Sequence, residues 1–252
     1  MRVLNEGFDK RKQLEEKGSA PLAGGIMQYG YQCGMIWGAV LAAGARAYEL
    51  FGPGTEAETK AVLAAQKLVE TFQTCTGEIN CYEITNINNS SSVMKMLYVF
   101  LIKGKTLSCM HLTGKYAPKA FNVINAVFSE KDIKLPSPPV SCAAILARKM
   151  GVSEKHVVMA AGLAGGIGLC GGGCGALGTA IWIMTMDKGL DSKLEFKDPK
   201  ALEIIEKAFL PNSDYEFECS KIVGRKFVNI EDHTCFLREG GCSKIIEALA
   251  GK

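Results

Sequence analysis

Shifted by 141 positions, the chain lies on itself. Residues 163–180, LAGGIGLCGGGCGALGTA, fall on residues 22–39, LAGGIMQYGYQCGMIWGA, without a gap, and nine of the eighteen positions agree. The shared pattern is L-A-G-G-I-x3-G-x2-C-G-x4-A. Repetition constrains a fold more than any single motif, because two like segments tend to build two like units. Further downstream, CYEI (81–84) corresponds to CSKI (219–222). Duplication is therefore expected, and the proline-rich stretch KLPSPPV (134–140) is the natural boundary, since it suits neither a helix interior nor a central strand. The expected layout is a first repeat over 1–133, a linker over 134–140 and a second repeat over 141–252.

The rest of the chain reads as helix. GTEAETKAVLAAQKLVETFQ has apolar residues at helical spacing, and a Thr55/Glu58 capping box is expected to open it. DPKALEIIEKAFL starts from Asp198 with Pro199 at the first helical position. SEKHVVMAAGLAG starts from Ser153, and CAAILARKMG stops at Gly151. Only MLYVFLIKG (96–104) invites a strand. The expected fold class is all-α: two similar units of four or five helices, packed through their Gly/Cys-rich helix starts.

Two uncharged runs, Ile26–Ala45 and Val157–Met186, are long enough to raise a membrane span. Both are interrupted by glycine-rich turns, and irregular backbone cannot face lipid, so buried core is the preferred reading. Net charge is +3 with no basic–aromatic cluster, which argues against nucleic acid. The first residues are charged in both signs and do not resemble a secretory signal. A cytoplasmic location is expected, where thiols stay reduced, so the ten cysteines are expected to be ligands, redox thiols or small core residues rather than a disulfide framework.

Cys142, then Gly173-Cys174-Gly175-Ala176-Leu177-Gly178, then Cys219 and Cys242, resemble the family of redox-active proteins named for its motif, C_GCAxxG_C_C. Gly175 stands where some members have alanine. The first half keeps Cys33, Cys81 and Cys109, lacks the first cysteine, and has Trp37 at the place of Gly178. The resemblance implies redox function of the kind found in anaerobic bacteria and archaea, and a similar domain in some cytochromes looks like an iron–sulfur binder.

Read from the residues themselves, four cysteines this far apart converge only through a fold. Four thiolates are a complete set for an iron–sulfur cluster or for zinc. Glycines beside Cys174, namely Gly165, Gly166, Gly173 and Gly175, let backbone N–H groups reach cluster sulfur. A helix N-terminus at Cys174, and likewise at Cys33, would stabilise a thiolate. The competing reading is that these glycines only let helices pack closely. Cys170, four residues before Cys174, offers a second chemistry: a metal-free thiol/disulfide couple. A third possibility is a non-catalytic helical module stabilised by metal. His111 and His233 flank cysteines and are weaker candidates. A complete cysteine set in the second half makes it the expected cofactor holder and the first half mainly scaffold. A redox partner protein and a homodimer are compatible with this reading; a membrane partner is not favoured.

Overall fold

The computed structural model describes residues 1–193 and 198–251, so the expected second repeat includes four internal positions and a last residue that lie outside the described residues. The described chain is helical. In the first half run α1 (Arg2–Gly7), α2 (Gln13–Gly18), α3 (Gly34–Phe51), α4 (Thr55–Thr76), α5 (Cys81–Thr85), α6 (Val93–Leu97) and α7 (Lys105–Ser129). After an extended stretch come α8 (Cys142–Lys149), α9 (Glu154–Ala161), α10 (Gly175–Asp187), α11 (Pro199–Glu203), α12 (Cys219–Val223), α13 (Ile230–Arg238) and α14 (Ser243–Leu249). Among the described residues, β-type pairing is limited to two single bridges, Gln32 with Asn80 and Gly173 with Glu218.

Local signals explain most of the starts and stops. Asp198 accepts from the N–H groups of Lys200 and Ala201, with Pro199 behind it. Ser153 accepts from His156 N–H, and Gly151 turns the chain out of α8 with a φ of 77°. Two expectations need correction. The Thr55/Glu58 capping box is not made. Gly54 is the N-cap of α4 and no side chain caps it, because Glu58 is buried and paired with Arg148 of the second half. The segment 96–104 is not a strand. It continues α6 into a π-helical turn, Tyr98–Ile102, which satisfies its backbone internally where no strand lies alongside.

The halves interlock. Helix α3 packs on α4 and on α9, while α10 packs on α8 and on α2. Shifted by 141 residues, α3 falls on α10 and α2 on α9, so each long helix takes the other half's short one. A single core runs through both halves. Trp37 is fully buried and lies against Gly178, where a Cβ would sit 2.2 Å from its ring. Trp182 is also fully buried and donates its indole N–H to Glu15 O at 3.1 Å. The two uncharged runs are thus core and turn, and no helix among the described residues is long and apolar enough to cross a membrane.

Glu15 ties α2 to α9. Its carboxylate pairs with Lys155 and meets His156 Nε2 at 3.2 Å. The hydrogen bond from His156, assisted by Lys155, outweighs burial and holds Glu15 at about 2. A carboxyl depressed in the folded state stabilises it above the unfolded value, and that contribution disappears as pH falls. The urea midpoint should therefore drop between pH 4.5 and about 2. Glu15→Gln should lower the neutral-pH midpoint and flatten this part of the profile. An unchanged acid limb in Glu15→Gln would show that the pair does not couple the helices.

Candidate functional site

Each glycine–cysteine block folds as a left-handed turn followed by a helix. Residues 24–28 have φ of 51 to 76°, and residues 165–169 have φ of 55 to 74°. Left-handed backbone costs about 1–2 kcal/mol for each residue with a Cβ, which accounts for much of the glycine. Close approach accounts for more. A Cβ on Gly25 would lie 2.2 Å from Tyr31 O, and one on Gly166 would lie 2.5 Å from Gly172 O.

Beyond the turn, identical hydrogen bonds recur in both halves. Cys33 N–H donates to Ile79 O and Cys174 N–H to Phe217 O, both at 2.8 Å. Cys81 N–H donates to Tyr31 O and Cys219 N–H to Gly172 O, both at 2.7 Å. These bonds lie on the two bridges. They set Cys33 beside Cys81 and Cys174 beside Cys219, with each cysteine at a helix start.

The second half extends this arrangement to four thiols. Cys142 is the first residue of α8, Cys174 the N-cap of α10, Cys219 the first residue of α12 and Cys242 the N-cap of α14. Four helix N-termini therefore carry the four cysteines of the signature. Burial pushes Cys174 up to about 12, and Cys142 adds to the effect, while the N–H groups of Leu177 and Ala176 oppose it. Cys219 is raised by burial and then by Cys174, Cys142, Cys242 and Cys170. Cys242 is raised by burial, Cys142 and Cys174. Burial raises Cys142 too, opposed by N–H groups that include those of Gly165 and Ala143. Cys174, Cys219 and Cys242 thus each lose ionisation to at least one other cysteine of the set. Among the described residues, no three Cys, His, Asp or Glu side chains are grouped as a ready-made metal site.

Of the four glycines expected beside the cofactor, Gly165 and Gly175 take the two roles expected of them, while Gly166 and Gly173 hold the Gln32 amide instead. Gly165 directs its N–H at Cys142. Gly173 N–H is taken by Gln32 Oε1 at 2.8 Å, and Gly166 O accepts from Gln32 Nε2 at 2.9 Å. Gly175 is a packing glycine, with Leu163 O 1.7 Å from where its Cβ would be. Gln32 is fully buried and reaches from the first half into the second half's loop. Sequence reasoning missed it; its only signal is a long amide inside an uncharged run, at the position matching Gly173.

Cys170 donates to Gly166 O at 2.8 Å, and all ten cysteines are free thiols. His233 is buried, contacts Val140 O through Nδ1 at 3.1 Å and packs edge-on against Phe227. Burial lowers it to about 4, so it is a neutral brace for the chain leading to Cys142. His111 and Cys235 are exposed.

In the first half, burial pushes Cys33 up to about 12, with Cys81 and Cys109 adding to it. Cys81 opens α5, and Cys109 lies in the second turn of α7. The three border a cavity of about 560 Å³ that Met1, Met35 and Met96 also line. Met1 stands 141 residues before Cys142, at the position matching the first signature cysteine, which the first half lacks.

Residues 1–123 match the family model described as "Putative redox-active protein (C_GCAxxG_C_C)". Over these residues the chain is similar to that family. The C_GCAxxG_C_C match takes in the left-handed turn, Cys33, Cys81 and Cys109, and so falls on the half with the shorter cysteine set rather than on the one with all four. No curated protein and no solved structure matches the chain.

Thiol reactivity should follow this geometry. A thiol at about 12 is ionised to only about one part in ten thousand at pH 8. In folded, metal-free protein, iodoacetamide should label exposed Cys235 first, and Cys33 and Cys174 only on unfolding, as read by peptide mass spectrometry. Labelling of Cys174 as fast as Cys235 would contradict the buried placement.

Proposed function

We propose that the protein is a redox protein that holds an iron–sulfur cluster, or another thiophilic metal, on Cys142, Cys174, Cys219 and Cys242. Its role on this reading is electron transfer or redox sensing. The observation that carries the proposal is the placement of all four signature cysteines at helix N-termini, with Cys142, Cys174 and Cys219 buried and Cys242 half-buried. The donor set fits such a group. Thiols raised by burial and by one another lose that penalty when a cation joins them. Helix N-termini and the N–H groups of Gly165, Ala176 and Leu177 favour negative charge on sulfur. A bound cluster would supply a one-electron couple; the chain supplies the thiolates, the N–H donors and exclusion of water. The family description supports redox function and goes no further.

The recurrence of the turn and its hydrogen bonds supports reading the halves as copies of one ancestral unit. The first half then serves as scaffold, with Gln32 as its contribution to the second half's loop.

Anaerobic purification followed by visible absorption tests the proposal. Brown protein with sulfur-to-iron charge-transfer bands is the expected result. Colourless protein that forms a Cys170–Cys174 disulfide with a defined potential would favour the thiol couple. Colourless, redox-silent protein with bound zinc would favour a structural module.

A further inference from the structure

The segment after α5 leaves a broad apolar surface uncovered. Along α6 and the π-helical turn, Val93, Met94, Leu97, Tyr98, Leu101 and Ile102 are 49–76% exposed. Their spacing places them on the outer side of one continuous helical stretch, while Val99 is buried and Met96 and Phe100 line the Cys33 cavity. Leu107 and Met110 continue the surface onto α7 at 72% and 67% exposure. A shallow apolar pocket of about 360 Å³ adjoins Met110 and reaches Val3 of α1, itself 53% exposed. Soluble monomers rarely expose so large a contiguous apolar patch without a partner for it.

Charge identifies the partner. Between Glu83 and Glu130 the chain has no acidic residue and five lysines: Lys95, Lys103, Lys105, Lys115 and Lys119. All but the half-buried Lys105 are exposed. Lys103 lies over the Tyr98 ring, 5.4 Å from its centroid, which puts a cation and an amphipathic aromatic together at the edge of the patch. The nearby acid of α1, Glu6, is already paired with Arg2 and Arg11. An isologous contact with a second copy would set this lysine rim against itself. An anionic lipid surface satisfies both features, taking the apolar side chains into its boundary and the lysines at its headgroups.

We propose that the surface from Val93 to Met110 docks the protein on the face of an anionic bilayer, in the plane of the interface and without spanning it. The proposal does not depend on the metal assignment.

The test uses the full chain floated with vesicles of phosphatidylcholine alone, or of phosphatidylcholine with phosphatidylserine. Binding to the anionic vesicles, weakened by salt, is expected. Lys95→Gln with Lys103→Gln should reduce it about thirty-fold, the loss of two lysines near an anionic surface. Met94→Asp with Leu101→Asp should remove it while the circular dichroism spectrum and the melting transition persist, since both positions are exposed. Failure of the unmodified chain to float with either vesicle overturns the proposal. So does a concentration-dependent dimer that Met94→Asp with Leu101→Asp dissolves, which would assign the surface to a second copy.

Discussion

Gly175→Ala should destabilise the protein by about 3 kcal/mol or more, because overpacking against fixed atoms forces the backbone to move. The added Cβ would sit 1.7 Å from the carbonyl oxygen of Leu163, and no rotamer change relieves a clash with backbone. Leu163 lies two residues before the left-handed turn of 165–169, and Gly175 is the first residue of α10. The clash therefore pries the turn from the helix that Cys174 caps. Gly114→Ala is the matched control. Gly114 lies inside α7 with nothing within 4 Å of its would-be Cβ, so alanine there should stabilise by about 1 kcal/mol through helix propensity. Urea unfolding of the two variants reads both effects. A Gly175→Ala midpoint within error of the parent would mean that helix and turn are not in the contact described.

Cys174→Ser should remove bound metal while leaving the fold intact. Serine is among the best N-cap residues, so α10 keeps its start, and only the soft donor is lost. Cys33→Ser makes the same exchange at the N-cap of α3, where the thiol borders an open cavity with two other cysteines rather than three. Metal retention should therefore fall in Cys174→Ser and change little in Cys33→Ser, with both variants melting cooperatively. Equal loss from both would assign the chemistry to the two halves together.

The helical class, the repeated block and the helix starts at Cys33 and Cys174 were legible in the sequence because they rest on local chemistry. Asp198 with Pro199 and Ser153 are caps that a short window defines. What was not legible is long-range or aperiodic. A single bridge has no period, so the pairing that sets Cys174 beside Cys219 left no pattern. Helices α5 and α12, of five residues each, are too short to show one. Glu58 looked like a capping residue because its partner, Arg148, lies ninety positions away. The stretch 96–104 looked like a strand because its apolar run is continuous; it is helix with one face buried and the other bare. Glycine's two purposes were both present, and only coordinates could allot Gly165 to a thiol and Gly175 to a carbonyl.

The most direct measurement is metal and acid-labile sulfide content per chain in protein prepared without oxygen. Iron and sulfide bound together, and released together when thiols are blocked under denaturing conditions, is the predicted result. Protein free of both metal and sulfide after anaerobic preparation and reconstitution with iron and sulfide would contradict a cluster held by Cys142, Cys174, Cys219 and Cys242.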